Sequence, residues 1–75
     1  MSKEVWEERA KRFLKAELKR QGVTYEDLAH RLSALGISET EGSVGMKISR
    51  GTYPAWFLFA VMSVIGISVL RLENE

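Results

Sequence analysis

The side chains best suited to bind another molecule lie together in the short segment GSVGMKISR. Lys47 and Arg50 carry donors that bind phosphate oxygens or guanine, and Ser43 can donate to, or accept from, a base or a phosphate. Met46 can contact the methyl group of thymine, and Gly42 has no side chain to keep another backbone away. These residue types predict a surface for double-stranded DNA, provided that a helix presents them outward.

Catalytic chemistry has little support in the sequence. His30 is the single histidine and the chain contains no cysteine, so a zinc site has too few of its preferred ligands. No glycine-rich loop followed by lysine is present to bind nucleotide phosphates. We expect His30 to lie on the exposed face of a helix. The sequence therefore predicts no enzymatic activity, no metal and no cofactor.

The length and composition indicate one small domain spanning residues 1–75. The chain has 75 residues and 45% apolar side chains, and a domain of this size buries only about 60% of the surface that its unfolded chain exposes. It is therefore marginally stable alone and would gain from dimerisation. The N-terminal residues contain no apolar run typical of a secretory signal, and we expect a cytoplasmic protein.

The net charge of +1 is unevenly distributed along the chain. Residues 1–21 contain seven basic and four acidic side chains, whereas residues 22–53 and 54–75 each contain one more acidic than basic side chain. A protein that binds nucleic acid usually has a basic surface. We therefore expect the N-terminal helix to contribute cations to the DNA backbone, with Lys19 as one candidate.

Apolar residues at spacings of three and four predict an all-α fold. We expect the buried positions to be Trp6, Ala10, Phe13, Leu14 and Leu18 in the first helix, Leu28, Leu32 and Leu35 in the second, and Val44 and Ile48 in the third. The predicted helices cover residues 4–21, 24–35, 39–50 and 54–65, and a short element, helical or extended, follows at 67–72.

Capping residues set these boundaries. The hydroxyls of Thr24, Ser38 and Thr52 can each accept a hydrogen bond from an amide in the first turn of the helix that follows. Pro54 suits a first turn, where the missing amide does no harm. The predicted helices end at glycines that can take the left-handed conformation, namely Gly22, Gly36, Gly51 and Gly66.

Residues 54–70 form a run of 17 consecutive uncharged residues. As a helix this run would be about 25 Å long, short of the roughly 30 Å hydrocarbon core of a bilayer. Its apolar surface can be buried in the domain core, in a dimer interface or in lipid. Large rings at adjacent positions cannot all face one core, so we expect a homodimer, with the candidate interface residues Trp56, Phe57, Phe59, Ile67 and Val69.

The segments TYEDLAHRL, GIS, KISRG and FAVMSVIGI, taken in order, resemble the lambda-repressor-like, XRE-type helix-turn-helix domains. The resemblance covers about 45 residues. The RGTY that follows the third helix is similar to a small bacterial branch of that superfamily, a domain of unknown function. The chain departs from the family in three places: three extra residues precede Gly36, Tyr25 stands in place of the usual glutamine, and a common Arg–Glu pair is replaced by Leu18 and Ser49.

This resemblance implies a compact lambda-repressor-like helix-turn-helix domain of four to five helices. Its third helix would lie in the major groove, with Thr24, Tyr25 and Ser38 near the DNA backbone. The implied function is sequence-specific binding of double-stranded DNA and regulation of transcription by occupancy. The alternatives are a protein–protein interaction adaptor that uses the same fold without DNA, and a small membrane-associated protein.

Overall fold

The computed structural model describes residues 2–70, and within that range it contains four α-helices and no strand. The helices are α1 (Lys3–Gln21), α2 (Tyr25–Ala34), α3 (Glu41–Arg50) and α4 (Ala55–Ile65). The prediction of an all-α fold is confirmed. Of the fifth predicted element, residues 67–70 are neither helix nor strand, and residues 71 and 72 lie outside the described residues.

The apolar stripe of α1 faces the core only in its second half. Leu14 and Leu18 are buried, and Phe13 packs against the core from its edge. Trp6, predicted to be buried, is 49% exposed and lies beneath the guanidinium of Arg9, 4.9 Å from the ring centroid. In the first turns of α1 the Trp6 side of the helix faces solvent, while the backbone carbonyls of Glu7 and Ala10 lie against Gly51 and Tyr53.

Helix α2 begins as predicted, because the Thr24 hydroxyl accepts a hydrogen bond from the Asp27 amide at 3.1 Å. Leu28 and Leu32 are fully buried. Leu35, predicted to continue this stripe, is 53% exposed, because α2 ends at Ala34 and Leu35 is its C-cap. The chain turns back at this point, and the amide of Ile37 donates to the carbonyl of Leu32 at 3.0 Å.

One core joins the four helices. Helix α3 packs against both α1 and α2, and α4 packs against α2. The largest fully buried side chains are Phe57, Leu14, Leu28, Leu32, Ile48, Val44 and Val61. Arg31 links α2 to the end of α4, since its guanidinium donates to the Val64 carbonyl at 3.0 Å and pairs with Asp27 at 3.2 Å.

Helix α4 begins after Pro54, which is its N-cap, so the predicted cap at Thr52 and the start at residue 54 are wrong. Its inward side chains are Phe57, Val61, Met62 and Ile65. Gly66 ends the helix in the left-handed conformation, with φ of 82°. Within residues 2–70, no helix combines the length and the apolar character needed to span a membrane.

Candidate functional site

The outward side of α3 is the surface predicted to bind DNA. Val44 and Ile48 are fully buried against the helices that flank α3, and this fixes which side of α3 faces solvent. Met46 is 54% exposed. Gly42, Ser49 and Arg50 are exposed as well. The structure thus brings Gly42, Met46 and Arg50 together on the accessible face of one helix.

The first turn of α3 is closed by a reciprocal pair of hydrogen bonds. The Thr40 hydroxyl accepts from the Ser43 amide at 3.1 Å, and the Ser43 hydroxyl oxygen accepts from the Thr40 amide at 2.9 Å. This capping box makes Thr40 the N-cap, so the prediction that Ser38 caps a helix starting at residue 39 is wrong. Only Thr40 has, three residues later, a side chain that returns the hydrogen bond. Ser43, half-buried, has its hydroxyl occupied within the protein.

Glu39, in the loop just before α3, forms an ion pair with Lys47, in the last turn of α3. The ammonium of Lys47 lies 2.9 and 3.0 Å from the two carboxylate oxygens of Glu39, and the Ser43 hydroxyl donates to the same carboxylate at 2.6 Å. The ammonium also lies 5.8 Å from the centroid of the Phe57 ring. The charge of Lys47 is therefore neutralised by the protein itself and directed toward the core.

The Glu39 side chain is only 5% exposed. Burial acts to raise the pKa of its carboxyl group, but the hydrogen bonds from Ser43 and Lys47, together with the Lys47 charge, outweigh burial and leave the pKa below its ordinary value. The carboxylate is thus held ionised. This pair was not predictable from the sequence, because the two residues are eight positions apart and Glu39 lies in the loop before α3.

Arg50 remains available for a ligand. It is exposed at the C-terminal end of α3, and no ion pair to it occurs within residues 2–70. Lys19, the candidate on α1, is likewise exposed and has no ion-pair partner in the described part of the chain. Of the predicted cations, Arg50 and Lys19 are free to contact phosphates, and Lys47 is not.

Two further candidates serve the packing of α2. Thr24 uses its hydroxyl as the α2 cap. The ring of Tyr25 lies against Gly45, where an added Cβ would be 3.1 Å from one ring carbon and 3.3 Å from the next. The space beside Gly45 is therefore occupied by the Tyr25 ring. At Gly42 the space is open, since an added Cβ would meet only the Thr40 hydroxyl oxygen at 3.9 Å.

The corner between α3 and α4 is anchored on α1. At Gly51, with φ of 66°, an added Cβ would collide with the backbone carbonyl of Glu7, so only glycine fits. Two residues later, the Tyr53 hydroxyl donates to the Ala10 carbonyl at 2.6 Å, and burial raises the pKa of Tyr53 to about 12. These contacts fix the end of α3, and the sequence identified neither.

The aromatic residues of α4 divide between core and surface. Trp56 is 53% exposed and Phe59 is 66% exposed, whereas Phe57 is fully buried. Phe57 therefore cannot take part in the predicted dimer interface. Ile67 is half-buried against the core, and Val69 is 64% exposed. Trp56, Phe59 and Val69 remain as candidates for contact with another molecule.

An open depression lies between α2 and the start of α3. Its lining includes the exposed His30 together with Glu26, Glu39 and Glu41. Within residues 2–70, no group of three or more histidine, cysteine or carboxylate side chains is arranged to hold a metal ion. The acidic lining disfavours phosphate within the depression itself.

The family model described as Domain of unknown function (DUF6471) matches residues 6–70. No curated protein and no solved structure matches the chain.

Proposed function

We propose that this chain, which belongs to the DUF6471 family, binds double-stranded DNA in a sequence-specific manner and regulates transcription by occupancy, as a homodimer. The observation that carries the proposal is the exposure of α3. Its inner side is fixed by Val44 and Ile48, both fully buried, while Met46 and Arg50 face solvent. A helix supported in this way can enter a major groove without rearrangement of the core.

The proposal includes a lambda-repressor-like arrangement, in which α2 and α3 form the helix-turn-helix. Two features support it. The small Ala29 of α2 is 8% exposed, and α3 packs against α2. The connection over residues 35–40 is longer than the usual turn of about three or four residues. Of the three extra residues before Gly36, Ser33 and Ala34 lie in the last turn of α2 and Leu35 is its C-cap.

Three exposed residues of α3 have proposed roles. Arg50 binds a phosphate or guanine, Met46 contacts a thymine methyl, and Gly42 allows the DNA backbone to come close. Lys47 and Ser43 act indirectly, because their contacts with Glu39 and Thr40 fix the start of α3. Lys19 of α1 is the proposed contact to the DNA backbone.

The test is a titration of duplex DNA over a series of salt concentrations. Affinity should fall steeply as salt rises, and Arg50→Ala should reduce the slope of log affinity against log salt by about 0.9 if Arg50 binds a phosphate. Arg20→Ala is the matched control, since Arg20 carries the same charge but pairs with Glu17 on α1. No binding at low salt, or equal losses in both variants, would reject the proposed role of α3.

A protein-interaction adaptor is the second candidate, and one observation favours it. The Lys47 charge is paired with Glu39, so Arg50 alone supplies an unpaired cation on α3 within the described residues. The same titration separates the two functions. An adaptor would show no DNA binding at low salt while keeping a folded, helical spectrum.

A further inference from the structure

Helix α4 leaves one side largely uncovered, although Ala60 at its edge packs partly against the core. We call this side the α4 stripe and define it as Trp56, Phe59, Ala60 and Ser63, which follow one another at helical spacings of three, one and three. Residues spaced three or four apart share one side of a helix. Trp56 and Phe59 are 53% and 66% exposed, while Ser63 is exposed and Ala60 half-buried. The opposite side of α4 is buried in the core.

The α4 stripe is ordered by size. Its large rings, Trp56 and Phe59, lie toward the N-terminal end of the helix, and its small residues, Ala60 and Ser63, lie toward the C-terminal end. We propose that the α4 stripe binds the α4 stripe of a second copy of this chain, with the two helices antiparallel. A two-fold axis that sets Trp56 against Ser63 of the partner subunit also sets Phe59 against Ala60 of the partner subunit. Each ring then meets a small residue, the alternation that fills a helix interface.

The absence of charge on α4 permits a second copy and disfavours charged occupants. Helix α4 carries no charged side chain between Ala55 and Ile65, so two copies meet without like-charge repulsion. Antiparallel helices also oppose their dipoles. The stripe offers no ion-pair partner to a charged peptide, and it lacks the lysines and arginines with which interfacial helices bind anionic lipid.

The available area indicates a small interface. Trp56 and Phe59 leave roughly 200–300 Å² uncovered in each copy, given a full side-chain area of roughly 150–250 Å² for each ring. Two copies thus cover on the order of 500 Å² with these rings, and the flanking small residues bring the total toward the lower limit of about 1,000 Å² for a specific interface. This area is typical of a weak, transient dimer.

The inference rests on the homodimer of the proposed function, and it is tested without DNA so that the two can fail separately. Sedimentation equilibrium should show that Phe59→Ser and Trp56→Ser each weaken wild-type association by about tenfold or more. Leu35→Ser is the matched control, because Leu35 is exposed to the same extent as Trp56 but lies at the end of α2. A wild-type monomer at every concentration, or equal weakening in the control, would overturn the proposal.

Orientation is tested by disulfide cross-linking, for which the cysteine-free sequence is well suited. An equal mixture of Trp56→Cys and Ser63→Cys chains should form a disulfide-linked heterodimer under mild oxidation, because antiparallel pairing sets the two cysteines opposite each other. The mixture is used at a chain concentration about tenfold higher than the wild type needs to associate, since loss of the Trp56 ring weakens association. Each variant alone should remain largely unlinked. Cross-linking of the single variants alone would indicate parallel pairing and overturn the antiparallel arrangement.

Lipid is the remaining occupant to be tested. Wild-type chain and Phe59→Ser should both stay in the supernatant when mixed with vesicles of mixed neutral and anionic lipid and centrifuged. Sedimentation of the wild type with vesicles, lost in Phe59→Ser, would assign the α4 stripe to a membrane surface and overturn the dimer.

Discussion

Replacing Lys47 with methionine tests the ion pair that fixes the start of α3. The Lys47 ammonium contacts both Glu39 oxygens at 2.9 and 3.0 Å, and methionine keeps most of the alkyl chain while removing the charge. Breaking a fully buried ion pair costs about 3–5 kcal/mol, whereas an exposed pair contributes about 0–1 kcal/mol. The Glu39 side chain is 5% exposed and that of Lys47 is 37% exposed, so we expect a loss between these limits. Lys47→Met should lower the free energy of unfolding by about 2 kcal/mol.

Urea unfolding followed by circular dichroism measures this loss. Lys15→Met is the control, since Lys15 is exposed on α1 and forms no ion pair within residues 2–70; it should change the free energy of unfolding by less than about 0.5 kcal/mol. Glu39→Gln keeps an oxygen that accepts from Ser43, and in the Lys47→Met background it should restore part of the lost stability. If Lys47→Met costs no more than Lys15→Met, the ion pair does not hold α3 in place.

The same pair predicts a pH dependence. Because the folded-state pKa of Glu39 lies below its ordinary value, the ionised carboxylate stabilises the fold above the ordinary carboxyl pKa. That stabilisation is lost as pH falls through the lower, folded-state pKa. The difference in unfolding free energy between wild type and Lys47→Met should therefore shrink in acid. A difference that is constant across this range would contradict the assignment.

The remaining predictions concern two glycines and one tyrosine, all measured by urea unfolding. Gly42→Ala should stabilise the protein by about 0.5–1 kcal/mol, because the site is helical and open; a destabilised variant would contradict the open site. Gly51→Ala should cost more than about 2 kcal/mol, because φ is 66° and the Glu7 carbonyl occupies the Cβ position. A loss of stability smaller than the gain from Gly42→Ala would contradict this. Tyr53→Phe should cost about 1–2 kcal/mol through the lost bond to Ala10. The Tyr53 contribution is full below pH 10.0 and is lost as pH rises through about 12, so Tyr53→Phe should flatten the alkaline loss of stability, and an unchanged alkaline profile would contradict the assignment.

Local signals allowed much of the fold to be predicted. A cap such as Thr24, or a terminating glycine such as Gly22, acts over one helical turn, so both could be located from neighbouring residues. The inward positions Val44 and Ile48 followed from the helical repeat. The start of α3 was placed too early because Ser38 and Thr40 are both competent caps, and only the reciprocal bond from a residue within the first turn decides between them.

Contacts between distant residues could not be predicted in the same way. The Glu39–Lys47 pair depends on the path of the chain before α3, so Lys47 looked like a free cation in the sequence. Gly51 was predictable as the end of a helix, but the close approach of the Glu7 backbone was not. The contact of the Tyr25 ring with Gly45 likewise joins two different helices. For the candidate site, the exposed face of α3 was predictable from periodicity, and the pairing state of its cations was not.

The most direct test of the central claim is selection of bound duplexes from a random pool by wild type and by Met46→Ser. If the outer face of α3 reads base edges, wild type should enrich one sequence. A two-fold homodimer would make that sequence palindromic, and Met46→Ser should relax the preference at a thymine within each half-site. A pool left unenriched by wild type, or an enriched sequence unchanged by Met46→Ser and Arg50→Ala, would contradict DNA reading by α3.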